Sequence, residues 1–311
     1  MFIKTFYNLS KKDVGIAGGK GASLGEMTKA RIPVPFGFVV LAGAFDQFCR
    51  ETDLDVEIEA ELDKVNHKDI NSVDRASNEI RAMIARAKMP KDIAKEILEH
   101  HKKLKAKLVA VRSSATAEDS SSAAWAGQLE TYLNVTEKNV LKAVQKCWSS
   151  LFTPRAIFYR FEKKLQKKPV SVAVVVQTMV QSEISGIAFT VHPVTKDRNQ
   201  MVIEAGFGLG EAIVSGQVTP DTYVVHKGDF SILDINVSEQ SMMIVKGGKD
   251  NIQKKLSPKA GGKQKLTGKQ IVEIAKIIKN IELHYKKPQD IEWALYKSKF
   301  YITQSRPITT L

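Results

Sequence analysis

From Asp290 to Tyr296 polar and apolar positions alternate, with Ile291, Trp293 and Leu295 on one side and Asp290, Glu292, Ala294 and Tyr296 on the other. A period of two predicts a strand with one buried face. Elsewhere the period is helical. Leu54 to Leu108 is rich in charge, with Ile80, Met83, Ile84 and Ala87, then Ile93, Ile97 and Leu98, spaced as on a helix face, which predicts a helical block. Leu141, Val144, Cys147, Trp148, Leu151 and Phe152 predict helix from about Val140 to Phe161. Thr267-Gly268-Lys269-Gln270 has capping-box spacing ahead of Ile271, Ile274, Ile278 and Ile281, and Pro288 ends that helix.

Val170 to Val176 is a continuous β-branched run, expected to be a strand buried on both faces. Val109-Ala110-Val111 predicts a short strand that delivers a polar loop from Ser113 to Gly127. The opening segment, to about Phe48, predicts a glycine loop, a short helix and a strand after Pro33 and Pro35. Further strands are expected at Gly186–Thr190, Met201–Glu204 and Tyr223–His226. The class is mixed α/β.

The C-terminal alternation has a chemical consequence. If Lys297, Ser298 and Lys299 form a three-residue turn, the return strand pairs Tyr296 with Phe300, Ala294 with Ile302, Glu292 with Gln304 and Asp290 with Arg306. A carboxylate opposite an amide oxygen offers hard ligands for Mg²⁺, and Arg306 can neutralise Asp290 or reach a phosphate. The alternative is a face of ordinary cross-strand pairs in solvent.

Gly18-Gly19-Lys20-Gly21 is not a P-loop, because Val14 and Gly21 stand where its first glycine and its magnesium-binding hydroxyl belong. A glycine-flanked lysine can nevertheless lie close to phosphates. Arg112, at the end of an apolar strand beside Ser113, Ser114 and Thr116, suits phosphate oxygens equally well as an internal pair with Glu118 or Asp119. Gly206-Phe207-Gly208-Leu209-Gly210 lacks the spacing of a dinucleotide fingerprint and reads as a tight loop, with Glu204 and Glu211 as candidate acids.

Composition narrows the classes. The 311 residues carry a formal charge of +13, which suits a polyanionic partner, ATP or nucleic acid. Eight lysines lie between Lys246 and Lys269, but no aromatic ring accompanies them. A solvated flexible loop is therefore favoured over a nucleic-acid contact. Cys49 and Cys147 have no CxxC partner and read as buried structural thiols. No run approaches a membrane span and no signal peptide opens the chain, so the expected location is the cytoplasm.

Several longer motifs occur in order along the chain: Gly18-Gly19-Lys20-Gly21-Ala22-Ser23-Leu24, Val111-Arg112-Ser113-Ser114-Ala115-Thr116-Ala117-Glu118-Asp119, and Ala126-Gly127-Gln128-Leu129-Glu130-Thr131-Tyr132-Leu133-Asn134-Val135. Ser149-Ser150-Leu151-Phe152-Thr153-Pro154-Arg155-Ala156, the Gly206–Glu211 run and Gln304-Ser305-Arg306-Pro307 follow. Together they resemble the ATP-binding domain of the phosphoenolpyruvate synthase and pyruvate phosphate dikinase family, which includes the rifampin phosphotransferases.

The resemblance implies an ATP-grasp-like fold with two lobes, 1–176 and 177–311, clamping a nucleotide, and a helical insertion at about 54–108. It implies ATP and Mg²⁺ as cofactors, with Lys20, Arg112 and Arg306 on the phosphates, and Glu292 and Gln304 on the metal. Gly127 and Thr131 belong to a loop over the phosphates, and Gln177, Met179 and Val180 to the hinge that meets adenine. The implied partners are a phosphohistidine carrier domain and a pyruvate-binding domain, in the same chain or another. None of the six histidines lies in the setting of the family's carrier histidine, so a phosphoryl-donor half-reaction is expected. Two readings stay open beside it: the same domain of a rifampin phosphotransferase, and an ATP-binding regulatory module that transfers nothing.

Overall fold

The computed structural model describes residues 1–116, 130–162, 171–248 and 250–309. Two compact units emerge, one formed by Met1–Glu26 and Phe36–Met179, the other by Met27–Pro35 and Val180–Leu311. The excursion of residues 27–35 into the second unit has no signal in the sequence. It is tied there by Ile302, whose N–H donates to the Pro33 carbonyl at 2.8 Å.

In the first unit β1 (Ile3–Thr5) is followed by α1 (Val14–Lys29), β2 (Gly37–Val40) and α2 (Ala42–Glu51). The expected helical block then appears as α3 (Leu54–Asp63), α4 (Ile70–Arg86) and α5 (Lys91–Leu104). β3 (Val109–Ala115), β4 (Thr131–Val135), α6 (Val140–Ser149), α7 (Pro154–Glu162) and β5 (Val172–Thr178) complete the unit. The segment expected as one helix from Val140 is broken between α6 and α7 by a 3₁₀ turn at Ser150–Phe152, after which Pro154 opens α7. The strands pair antiparallel in the order β1-β2-β5-β3-β4.

The run at β5 is buried on both faces, as its composition demands. Val172, Val174 and Val176 of β5, with Val109, Val111 and Ala115 of β3, pack in one core with Phe45, Phe48, Ile80 and Trp148 from the helices. Both cysteines are buried; burial pushes the Cys49 thiol up to about 12 and raises that of Cys147 as well, as expected of structural thiols.

His101 on α5 is 3% exposed and its Nε2 has no hydrogen-bond partner among the described residues. Burial holds its pKa below the ordinary value of 6.5, against a smaller opposing pull from Glu137. The unfolded chain therefore binds this proton more readily than the folded one. His101 contributes stability that is complete above about pH 6.5 and is lost as pH falls below it. Urea unfolding at pH 7.5 and 5.5 is expected to show lower stability at the acid end, and His101→Leu is expected to shrink that difference. An unchanged difference in the variant would assign the acid loss to other groups.

The second unit begins with β6 (Ile184–Phe189), β7 (Gln200–Phe207), α8 (Glu211–Val214), β8 (Asp221–His226) and β9 (Ile232–Asn236). β10 (Met242–Lys246), β11 (Asn251–Lys255), α9 (Pro258–Gly261), α10 (Gly268–Tyr285), β12 (Gln289–Tyr296) and β13 (Lys299–Pro307) follow. Six of these strands form an antiparallel sheet ordered β13-β12-β6-β7-β8-β9. α10 has the expected capping box: the Gln270 N–H donates to Thr267 Oγ1, and the Thr267 N–H to Gln270 Oε1. Ile271, Ile274, Ile278 and Ile281 are fully buried.

The lysine-rich stretch is not the flexible loop its composition suggests. β10 and β11 form a hairpin, and Leu209 after β7 donates its N–H to the Ile244 carbonyl at 2.8 Å. Gln240, ahead of the hairpin, accepts the Phe207 N–H and donates to the carbonyls of Phe207 and Met242. Lys265 lies completely buried against Asp221, Nζ to Oδ1 2.7 Å.

Candidate functional site

On the first unit's sheet the alternation of side chains separates structure from chemistry. Val109, Val111 and Ala115 face the helical core. Ala110, Arg112 and Ser114 therefore belong to the opposite face. Strand register places Gln177 beside Ala110, Val175 beside Arg112 and Ala173 beside Ser114, with Thr131 beside Arg112 on the other flank. Three of the residues implied by the resemblance, Arg112, Thr131 and Gln177, thus share one face of one sheet although 65 residues of sequence separate Arg112 from Gln177.

Arg112 is 8% exposed and Thr131 is exposed at the start of β4. The Glu130 carbonyl before it accepts from the N–H and the hydroxyl of Ser113, and its carboxylate pairs with Arg81 on α4 at 2.8 Å. Gln177 is 2% exposed and its amide nitrogen Nε2 is buried with no partner among the described residues. Such an orphan donor is costly while unpaired and is relieved when a ligand supplies an acceptor. Met179 donates its N–H to the Leu108 carbonyl at 3.1 Å. Gly127, Glu118 and Asp119 lie outside the described residues.

Lys20 is half-buried just after a break in α1. Gly18 there takes φ 67° and ψ 170°, a conformation that glycine adopts without penalty. A Cβ on it would lie 2.2 Å from the Ser114 hydroxyl. The sequence flagged the glycines but not their anchor on β3.

The second unit builds an acidic face. Glu292 pairs with Gln304 and Asp290 with Arg306, as the alternation predicted, but the route differs. Lys297 and Ser298 alone form the turn, both at positive φ, 49° and 58°, the combination of a type I′ hairpin. Tyr296 therefore meets Lys299, Ala294 meets Tyr301, and Leu295 meets Phe300, in place of the pairs expected near the turn. A bulge after Glu292 then restores the expected partners farther along.

Arg306 grips Asp290 through Nε at 2.8 Å and Nη2 at 2.7 Å, so neutralising Asp290 is the role it plays in this structure. Burial raises the Asp290 pKa; Arg306 opposes that shift and Glu292 adds to it. Across the sheet Glu292 faces Ile187, and Ile187 faces Glu204, two strand spacings or about 10 Å away. Burial, with repulsion from Asp290, raises the Glu204 pKa. Glu211 lies at the exposed start of α8, where it accepts a bond from Asn251. Val180 is half-buried ahead of β6.

Among the described residues no cluster of three or more His, Cys, Asp or Glu side chains could hold a metal by itself. A Glu292–Gln304 pair fits an Mg²⁺ ion that takes its other ligands from phosphate and water.

Residues 14–311 match the family described as pyruvate phosphate dikinase, AMP/ATP-binding domain. The chain belongs to this family. A probable phosphoenolpyruvate synthase of Methanocaldococcus jannaschii is 48% identical over the whole of this chain and 27% of its own length. The phosphoenolpyruvate synthase of Pyrococcus furiosus is 42% identical, over the whole of this chain and 44% of its own length. The rifampicin phosphotransferase of Bacillus subtilis is 39% identical, over 98% of this chain and 36% of its own. The chain spans less than half the length of each of these relatives. Among the described residues no helix is long and apolar enough to cross a membrane.

Proposed function

We propose that this AMP/ATP-binding domain is ATP-grasp-like, takes Mg-ATP and donates one phosphoryl group to a histidine on a separate domain, for onward transfer to pyruvate, while water takes the other as phosphate and AMP is released. The observation that carries the nucleotide part is the gathering of Arg112, Thr131 and an orphaned Gln177 amide on the sheet face turned away from the helical core. In this reading Gln177, Met179 and Val180 meet adenine, while Lys20 and Arg112 draw charge from the phosphates. Gly127 and Thr131 lie over the phosphate chain. Glu292 and Gln304 would hold Mg²⁺, and Arg306 would move from Asp290 to a phosphate oxygen when nucleotide arrives. Phosphoryl transfer depends chiefly on positioning and charge neutralisation, which this set of residues supplies.

The carrier histidine and the pyruvate site fall to other domains, in the same chain or in a partner. The relatives include both phosphoenolpyruvate synthases and a rifampicin phosphotransferase, so the donor domain suits either acceptor, and the acceptor domain decides. We favour pyruvate because the Methanocaldococcus jannaschii and Pyrococcus furiosus synthases are 48% and 42% identical to this chain, against 39% for the phosphotransferase.

Mg-ATP is expected to raise the melting temperature, since a ligand bound only by the folded state stabilises it. No shift at millimolar ATP would overturn the nucleotide reading. ATP labelled in both its β- and γ-phosphoryl groups, mixed with the chain and the histidine domain of a phosphoenolpyruvate synthase, is expected to label that histidine. Binding without transfer would instead identify a regulatory nucleotide sensor.

A further inference from the structure

α1 breaks at Gly18, and a helix of eleven residues, Gly19–Lys29, restarts immediately after it. At a helix start the residue before the first turn ordinarily offers a side-chain oxygen to the backbone N–H two or three positions on. Gly18 has no side chain to offer. In its place Ser114, fully buried on β3, accepts the Gly21 N–H at 3.3 Å. The same hydroxyl donates to the Ala17 carbonyl at 3.0 Å. One hydroxyl thus uses both its donor and an acceptor site to bridge the two sides of the break, and Lys20 lies inside the three-residue span it closes.

Two further features fit this arrangement. The approach is tight enough that a Cβ at position 18 would collide with the Ser114 hydroxyl and with its backbone carbonyl, so glycine is what lets the break come this close to β3. Ser114 also lies two residues from Arg112, on the same face of β3. A single strand therefore carries the arginine and fixes the backbone that carries the lysine.

We propose that Ser114 is a positioning residue for Lys20: its hydroxyl caps, from a neighbouring strand, the helix on whose first turn Lys20 stands, and so sets the lysine against the phosphates. The proposal rests on the reading of Lys20 as a phosphate-binding residue. Ser114 touches no phosphate itself and acts through the lysine.

The test compares wild-type protein, Ser114→Ala, Ser114→Cys and Lys20→Ala, alone and with Ser114→Ala in the Lys20→Ala background, by calorimetric titration with Mg-ATP and with adenosine. Ser114→Ala is expected to weaken Mg-ATP about 5- to 10-fold, the scale of a lost cap, and to leave adenosine unchanged. Ser114→Cys, which keeps a weak acceptor, is expected to fall between. In the Lys20→Ala background Ser114→Ala is expected to cost nothing more, because the lysine it positions is gone.

Amide hydrogen exchange supplies a readout independent of ligand. The Gly21 N–H is expected to exchange faster in Ser114→Ala while the amides of β5 stay protected, which also shows that the variant is folded. Equal losses for ATP and adenosine, full additivity with Lys20→Ala, or an unchanged Gly21 amide would each overturn the proposal. A wild-type protein that binds no Mg-ATP would instead refute the nucleotide reading, and an altered Gly21 amide would then leave Ser114 as a helix cap without a role in binding.

Discussion

Replacing Lys265 with methionine is expected to destabilise the second unit by about 3–5 kcal/mol, the cost of stranding one partner of a buried ion pair. Both side chains of the Lys265–Asp221 pair are completely buried. Lys265 Nζ also donates to the carbonyls of Ser238 and Gly261. Asp221 in turn accepts the N–H groups of Ser238 and Lys265, and the hydroxyl of Tyr223. Removing the ammonium leaves a buried carboxylate and two carbonyls short of a donor. A methionine of similar length fills the space, so the loss measures polar satisfaction more than volume. Urea unfolding checks it, and a change below about 1 kcal/mol would show that the pair is worth no more than an exposed one. Changing Asp221→Leu at the same time is not expected to recover the loss, because the donors from Ser238, Lys265 and Tyr223 would then be stranded.

Arg112→Ala and Glu292→Ala are each expected to remove most of the thermal stabilisation by Mg-ATP. At a ligand concentration 100-fold above the dissociation constant that stabilisation is about 2.7 kcal/mol. Arg112 presents a planar fork to phosphate oxygens. Glu292, facing Gln304 across the hairpin, supplies the charged half of the proposed Mg²⁺ pair. Arg112→Lys is the sharper control, since it keeps the charge and loses the fork; it is expected to retain only part of the shift. Glu292→Ala is expected to lose less affinity when ATP is offered without Mg²⁺, because the metal contact is then already absent. Wild-type shifts in both alanine variants would place the nucleotide elsewhere in the chain.

Ordered local signals gave correct elements for physical reasons. Alternation from Asp290 to Tyr296 reports which side chains are buried, and Ile291, Trp293 and Leu295 are all buried in β12. The Thr267–Gln270 capping box and the isoleucine stripe of α10 depend only on neighbours within a few residues. The break at Pro154 and the β10–β11 hairpin were harder. Pro154 is accepted at the first turn of α7, where no N–H is needed. Four of the five residues in β11 are exposed, so that strand carries no alternating apolar pattern in the sequence.

The candidate site shows the same boundary. Its residue types were legible, because glycine beside lysine, arginine after an apolar run, and a carboxylate in step with an amide each carry a chemical meaning over a short span; that the strand continues past Arg112 to Ala115 was not. The Glu292–Gln304 pairing was also legible, yet it survives only because a shorter turn and a bulge offset each other. Turn geometry at Lys297 and Ser298 uses positive φ in residues that seldom signal it.

What the sequence determined by itself, then, is the helices with a clear apolar stripe, the buried strands and the chemical vocabulary of the site, since these follow from burial periodicity and side-chain chemistry within a few residues. Only the tertiary structure decided that Ser114 closes the break at Gly18, that Gln177 and Arg112 share one face, and that a lysine from a basic stretch is buried against Asp221. Those partners lie 44 to 97 residues apart. Contacts of that kind exist only after sheet register and packing have brought the strands together, and no local pattern encodes them.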